Sequence, residues 1–222
     1  MKRHSGIAMA VKLIFILSLC VMLYSAVQIF KAPAEAREAL NTWEKKREEA
    51  VSASLPPAAV DEMPLPEGML ADAAGAVSAG SSYTKGEVLG EIYIPKLDKR
   101  VAVLEGTGKA ELKKGAGHDL SSAAVGAAGN SVLAGHRDTV FRGLGELEEQ
   151  DIIEVETADG KFIYEVTGST IVDGEARGAI KPSSEPVLTL ITCYPFSYVG
   201  SAPDRYLLSA RLISSEPLEF EP

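Results

Sequence analysis

The stretch TLITCYPF, residues 189–196, combines strand propensity with a reactive side chain more clearly than any other part of this sequence. Its first five residues are β-branched or apolar, which favours a β-strand, and Cys193 ends that run. The other cysteine, Cys20, lies inside an apolar N-terminal segment and cannot pair with it. An unpaired thiol at a strand end, where a cleft can open, is a candidate nucleophile.

The sequence around this stretch alternates between short apolar runs and turn residues. The predicted strands are 88–94, 101–104, 130–134, 151–157, 161–172, 187–192 and 205–213. The segments between them contain Gly, Pro or Asp, which is typical of an all-β sandwich or barrel. Two further segments, 109–114 and 138–147, are expected to be helical or irregular. Residues 83–215 are sufficient for one closed core.

The N-terminal segment predicts a membrane anchor. Residues 13–30 contain no charged side chain and approach the roughly 20 apolar residues that a membrane helix needs. Lys2, Arg3 and Lys12 precede this run, so the positive-inside rule places the N-terminus in the cytoplasm and the rest of the chain outside. A cleaved signal peptide is the alternative, because residues 32–36 loosely resemble a cleavage site.

Between the anchor and the first strand the composition changes twice. Residues 33–51 are rich in helix formers of mixed charge, which predicts a solvated stalk helix, with a disordered tether as the alternative. Residues 52–82 are largely Ala, Pro, Gly and Ser, which is a linker composition. The predicted organisation is a cytoplasmic tail and anchor at 1–31, a stalk and linker at 32–82, and a catalytic domain at 83–222.

The charge is distributed unevenly along the chain. Residues 1–31 carry four basic and no acidic side chains, whereas the remainder carries 18 basic and 31 acidic side chains, a balance of −13. Because the phosphates of nucleic acid require a basic surface, this acidic body excludes nucleic acid as a partner.

A cysteine nucleophile needs a proton partner, and two histidines follow the apolar segment. His136 comes directly after the apolar run 130–134 and Gly135, which permits a sharp departure of the backbone at the strand exit. His118 lies in the glycine-containing segment 115–119, which is expected to be a flexible loop. A surface histidine without function would explain either residue alone, but the candidate nucleophile favours His136 as its partner.

The last predicted strand supplies a third candidate, Arg205. Alternation along this strand puts Tyr206 and Leu208 on the apolar face and Arg205 on the opposite face. One interpretation is a solvated arginine paired with Asp204. The other is that its permanent charge and forked donors stabilise the oxyanion that forms when a thiolate attacks a carbonyl group.

Together these residues resemble the signature of the sortases, which are membrane-anchored cysteine transpeptidases of Gram-positive bacteria. The family motif TLxTC is matched in full by Thr189, Leu190, Thr192 and Cys193. The order of histidine in AGHRD, then cysteine, then arginine is also that of the family. The run 194–206 and the single N-terminal anchor are similar to class D sortases, and the resemblance covers residues 83–215.

The resemblance implies a fold, a reaction and partners. The fold would be a closed sortase-like β-barrel with short helices, preceded by an N-terminal transmembrane helix. Cys193 would be the nucleophile, His136 the general acid/base, and Arg205 the stabiliser of substrate and oxyanion. Thr192 would shape the substrate cleft, although a strand-filling role explains it equally well. The reaction would cleave an LPxTG-like sorting signal of a surface protein and join its threonyl group to an amine of cell-wall precursor, outside the membrane.

No cofactor is expected. The acidic residues that could suggest calcium are Glu146, Glu148, Glu149 and Asp151. They lack the ordered oxygen spacing of a calcium loop and are interpreted as a solvated acidic turn.

Two other functions fit parts of the sequence. A different extracytoplasmic cysteine acyl transferase or protease, such as an L,D-transpeptidase, would carry an S-x-G-C-x-R type motif, which ITCYPF does not match. A non-catalytic wall-binding β-domain would hold Cys193 buried and inert. Reaction of the thiol with a small electrophile distinguishes these possibilities, because only a catalytic cysteine should be labelled readily.

Overall fold

The computed structural model describes residues 3–54, 83–197 and 200–217, and its main body is a closed barrel of eight strands. The strands are β1 (Val88–Ile94), β2 (Lys99–Glu105), β3 (Ala116–His118), β4 (Gly129–Ala134), β5 (Ile152–Thr157), β6 (Gly160–Asp173), β7 (Pro186–Tyr194) and β8 (Asp204–Glu216). The helices are α1 (Arg3–Ser54) and α2 (Lys109–Lys114), with short 3₁₀ helices at Pro95–Leu97 and Leu144–Glu146. Around the barrel the order is β1-β2-β3-β4-β7-β8-β6-β5, which confirms the predicted closed barrel.

The barrel forms because most strands place every second side chain in one core. In β5 and in the first half of β6, buried residues alternate with partly exposed ones, as the period of a strand requires. The largest fully buried side chains include Tyr164, Phe141, Ile92, Leu133 and Leu190. Burial raises the pKa of the Tyr164 hydroxyl to about 12, while its oxygen accepts a hydrogen bond from the backbone N–H of Gly126 at 2.9 Å.

Three neighbouring strands bring their ends to one edge of the barrel. β4 runs parallel to β7, and β7 runs antiparallel to β8. The C-terminal ends of β4 and β7 therefore meet the N-terminal end of β8. The candidate residues His136, Cys193 and Arg205 therefore come from strand ends that lie at this same edge.

The segment around His118 is a strand and not the flexible loop that its glycines predicted. Ala116–His118 forms β3, which is parallel to β2 and antiparallel to β4, and all three of its residues are buried. The neighbours impose this conformation, because a three-residue segment with a central glycine has little strand propensity of its own. The backbone is close-packed here, since a Cβ added at Gly117 would lie 2.4 Å from the carbonyl oxygen of Gly106.

The N-terminal part of the chain forms one continuous helix. α1 includes both the uncharged run and the predicted stalk and passes through Pro33, where a separate helix was expected to begin. Twelve large apolar side chains between Met9 and Tyr24 are exposed. A search of the described residues finds no helix that combines the length and the apolar character needed to cross a membrane.

The stalk part of α1 is helical as predicted, but it packs against the barrel and is not solvated on all sides. Ala39 and Trp43 are each 4% exposed and join a small cluster with residues of β1 and β2. Three ion pairs flank this contact, namely Glu35–Lys113 at 2.7 Å, Lys46–Glu87 at 2.9 Å and Arg47–Glu156 at 3.3 Å. The stripe of small and apolar residues that recurs every three to four positions along the helix explains the docking.

Candidate active site

The strand register sets two of the three predicted site residues opposite each other and ends the neighbouring strand just before the third. In the β7–β8 pair, Cys193 lies directly opposite Arg205. In the β4–β7 pair, Ala134 lies opposite Ile191, and the N–H of Gly135 donates to the carbonyl of Ile191 at 3.0 Å. His136 comes two residues after Ala134 and Cys193 two residues after Ile191, so the same register, continued past the end of β4, sets His136 level with Cys193. Imidazole, thiol and guanidinium are thus carried by three adjacent strand ends.

The site lies on the face of the sheet that points away from the barrel core. Thr192 and Tyr206 are opposite each other and buried, so their neighbours Cys193 and Arg205 project from the other face. Both of these side chains are half-buried. Cys193 is unpaired and accessible, which separates it from the buried, inert thiol that a wall-binding domain would carry.

The turn that presents His136 is held by its backbone. Thr192 donates from Oγ1 to the carbonyl of Gly135 at 2.7 Å, which fastens the end of β4 to the end of β7. The N–H of Phe141 donates to the carbonyl of His136 at 2.8 Å. Gly135 is required for close packing, since an added Cβ would lie 2.6 Å from the ring of Phe141. The imidazole itself is exposed and forms no hydrogen bond with the residues that the structure describes.

The guanidinium of Arg205 is oriented by backbone carbonyls. Its Nη1 donates to the carbonyl of Asp204 at 3.0 Å and to that of Ala202 at 3.2 Å. Among the described residues it forms no ion pair, so the pairing with the Asp204 carboxylate that sequence reasoning left open is absent there. A Cβ added at Gly174, in the β6–β7 connection, would lie 3.0 Å from this nitrogen. The other donors of the fork form no hydrogen bond with the described residues and can bind a ligand.

An aromatic cluster follows the cysteine and was not identified from the sequence. The rings of Tyr194, Phe196 and Tyr206 lie 5.1–6.3 Å apart, centre to centre. Two of the three contacts are edge-on, a favourable arrangement for aromatic rings. The density of aromatic residues directly after Cys193 was the available signal. The cluster fixes the start of the β7–β8 connection, which borders the site.

His118 is held in a separate, closed arrangement. Its Nδ1 lies 3.1 Å from a carboxylate oxygen of Glu105, and its Nε2 lies 2.9 Å from the carbonyl of Ala123 and 3.1 Å from the hydroxyl of Ser122. The side chains of His118 and Glu105 are each 8% exposed. Since both ring nitrogens face acceptors, this imidazole has no nitrogen left for a substrate.

Two of the acidic residues that could suggest calcium, Glu148 and Asp151, form ion pairs with a lysine. Lys96 lies 2.8 Å from Asp151 and 2.9 Å from Glu148. The pKa of Asp151 is lowered, first by a hydrogen bond from the backbone N–H of Glu148 and next by Lys96. The predicted solvated acidic turn is therefore an ion-pair cluster on the surface. In the described parts of the chain, no group of three or more His, Cys, Asp or Glu side chains is arranged to hold a metal ion.

Comparisons with known proteins agree with this geometry. A family model described as a sortase domain matches residues 92–213. Sortase D of Bacillus subtilis (strain 168) is 42% identical over 130 residues, which are 58% of this chain and 66% of the relative. Sortase A of Listeria monocytogenes is 31% identical over 121 residues, 53% of this chain and 54% of the relative. The chain thus spans no more than about two thirds of the length of these curated relatives.

Solved structures give the same result. The catalytic domain of B. anthracis SrtD aligns with a TM-score of 0.54 and 40% identity, covering 64% of this chain and 97% of that one. A Clostridium perfringens Sortase D5 transpeptidase aligns with a TM-score of 0.60 over 82% of this chain and 99% of that one, and at 22% identity it supports the fold alone. With a matching domain over more than half of its length on the barrel described above, this chain belongs to the sortase family of cysteine transpeptidases.

Proposed function

We propose that this protein is a membrane-anchored cysteine transpeptidase that cleaves an LPxTG-like sorting signal and joins the threonyl group to an amine of cell-wall precursor. The observation that carries the proposal is the strand register, in which Cys193 lies opposite Arg205 and β4, the strand paired with β7, ends two residues before His136. Family membership supports the reaction class. The substrates would be surface proteins with a C-terminal sorting signal.

In the first half-reaction, the Cys193 thiolate attacks the backbone carbonyl carbon of the threonine in the signal. The carbonyl oxygen becomes an oxyanion, which Arg205 stabilises through its charge and its free donors. The bond between threonine and the next residue then breaks. His136 protonates the departing amine, and a thioester between the threonyl group and Cys193 remains.

In the second half-reaction, an acceptor amine attacks the thioester carbonyl. His136 removes a proton from that amine, a second oxyanion forms beside Arg205, and the carbon–sulfur bond breaks to release the Cys193 thiolate. The product carries a new amide bond. Thr192 contributes to the substrate cleft indirectly, because its hydroxyl fastens the turn that bears His136.

The anchor and the domain division belong to the same proposal. The uncharged run 13–30 would cross the membrane once, with the N-terminus in the cytoplasm and the catalytic domain outside. The exposed apolar side chains between Met9 and Tyr24 support this assignment. Residues 1–31 would be the tail and anchor, 32–82 the stalk and linker, and 83–222 the catalytic domain.

The proposal is tested by incubating the full chain with LPxTx peptides and candidate amines and identifying products by mass spectrometry. We expect cleavage after the threonine and a product joined to the amine. Cys193→Ala should abolish both, whereas Cys20→Ala, the matched control, should retain them. Retention of a tenth of the activity in Cys193→Ala, which corresponds to about 1.4 kcal/mol in the barrier, would exclude this residue as the nucleophile. Release of the acid alone with every amine would make the protein a protease.

A further inference from the structure

The side chain next to the proposed base connects two parts of the site that belong to different strands. Arg137 follows His136 in the turn after β4, and its Nη2 donates to the carbonyl of Gly200 at 2.9 Å. Gly200 lies in the connection between β7 and β8, which begins after Tyr194, the neighbour of Cys193, and ends before Asp204, the neighbour of Arg205. The hydrogen bond therefore spans the site from the histidine side to the arginine side.

In the described part of the β7–β8 connection three carbonyls accept hydrogen bonds, and each bond comes from a different element. Arg137 binds the carbonyl of Gly200, Arg205 binds that of Ala202, and the N–H of Gly174 binds that of Pro203 at 2.8 Å. Of these three bonds, only the one from Arg137 reaches the connection from the turn that carries His136. The other two originate in β8 itself and in the β6–β7 connection.

The backbone of this turn is held by two hydrogen bonds, one at Gly135 and one at His136. Thr192 holds Gly135, and Phe141 binds the carbonyl of His136. The His136 ring has no hydrogen-bond partner in the described residues, so its distance from Cys193 depends on the backbone of the turn and on what holds it. A displacement of about 1 Å in a catalytic group can lower a rate by about 10².

We propose that Arg137 is a positioning residue, which fixes the spacing between His136 and the connection leading to Arg205 by its hydrogen bond to the carbonyl of Gly200. The inference rests on the proposed roles of His136 and Cys193. Arg137 does not touch the reacting atoms. It acts through the two segments that it joins.

Arg137 and Arg205 are expected to differ in whether a lysine can replace them. The contact with Gly200 uses one nitrogen and one carbonyl, so the single ammonium of a lysine can replace it. Arg205, in contrast, is proposed to use its fork on the substrate, which a lysine cannot reproduce. Arg142 is a matched control, because it lies exposed in the same segment after β4.

The test measures kcat and KM of the full chain on an LPxTx peptide for Arg137→Met, Arg137→Lys and Arg142→Met. We expect a loss in kcat of about 30- to 100-fold for Arg137→Met, recovery to within about fivefold for Arg137→Lys, and no change for Arg142→Met. In a His136→Ala background, Arg137→Met should cause little further loss, because its partner in catalysis is already absent. An effect below threefold, failure of lysine to rescue a folded protein, or an undiminished loss in the His136→Ala background would each overturn the proposal.

A second readout needs no turnover. The rate of Cys193 alkylation by iodoacetamide is measured against pH for the unsubstituted chain, His136→Ala and Arg137→Met. We expect the profile of Arg137→Met to move towards that of His136→Ala, and an unchanged profile would contradict the proposal. If the chain cleaves no peptide but the profile moves as expected, the positioning role stands and the transpeptidase proposal fails.

Discussion

His118 lies in β3 and His136 just after the neighbouring strand β4, yet their surroundings differ in every respect that matters for proton transfer. His136 is exposed just after the end of β4, and its ring has no hydrogen bond among the described residues. His118 is buried in β3, with one nitrogen on Glu105 and the other facing Ala123 and Ser122. A general acid/base must exchange protons with substrate and water, and only the first environment permits this.

The comparison also shows what separates the proposed general acid/base from a histidine that supports the fold. Glu105, His118 and Ser122 have the chain of contacts expected of a carboxylate, an imidazole and a hydroxyl nucleophile. However, the Ser122 hydroxyl donates to the carbonyl of Asp119 at 2.7 Å, and the His118 Nε2 faces a carbonyl acceptor at 2.9 Å. The imidazole therefore cannot accept the serine proton, and the arrangement is structural.

The largest expected effect separates the two histidines directly. His136→Ala should lower kcat/KM by about 10²–10⁴ with an unchanged fold, because it removes the proton donor and acceptor. His118→Ala should leave the activity of the folded protein within about tenfold. It should lower the free energy of unfolding by about 3–5 kcal/mol, because Glu105 is left buried without its partner. Kinetics and urea unfolding of both variants give the comparison, and an equal loss of activity at unchanged stability would contradict it.

Two substitutions of Arg205 test whether this residue acts on the substrate or is only a surface arginine. Both Arg205→Ala and Arg205→Lys should lower kcat/KM by about 10²–10³, because lysine keeps the charge and loses the directed donors. The measurement is kcat/KM on the best LPxTx peptide, with circular dichroism to check folding. Values within a few-fold of the unsubstituted chain in both variants would reduce Arg205 to a surface residue.

Much of this fold could be predicted, because it depends on local pattern. The predicted limits of β1 are those observed, and the long strands β6, β7 and β8 were found because each alternates or contains β-branched runs. β3 could not be predicted, because three residues carry no period and the strand exists only through pairing with β2 and β4.

The candidate site was selected from the sequence for a similar reason, and its catalytic roles stay a prediction. Cys193, His136 and Arg205 each stand at the end of a recognisable strand, so face parity and strand order were enough to select them. The contact of His118 with Glu105 depends on the pairing of β3 with β2, which gives no local signal in the sequence. The docking of α1 did leave a signal, the stripe containing Ala39 and Trp43, which was outweighed by the charge of the segment.

Thr192 tests how firmly the His136 turn must be held. Thr192→Val keeps the shape and removes the bond to the carbonyl of Gly135, so kcat/KM should fall about tenfold and the free energy of unfolding by about 1 kcal/mol. Thr192→Ser, which keeps the hydroxyl, is the control and should retain most of the activity. Equal activity in the valine and serine variants would show that the bond does not position His136.

The stalk should have the smallest effect on chemistry. A chain beginning at Ser81 lacks the contact of Trp43 and the ion pairs of α1, but it retains every proposed catalytic group. We expect activity on free peptides within several-fold of the full chain and a lower midpoint of urea unfolding. Trp43→Ala in the full chain should lower the midpoint in the same direction. A folded but inactive truncated chain would mean that α1 contributes to the site.

The most direct test of the account is the mass of the intact protein after mixing with an LPxTx peptide in the absence of an acceptor amine. The account predicts an adduct of the peptide up to its threonine, mapped by proteolysis to Cys193 and absent from Cys193→Ala. Cleavage of the peptide with no adduct on Cys193, or an adduct mapped to Ser122 beside His118, would contradict the claim that three strand ends form the active site.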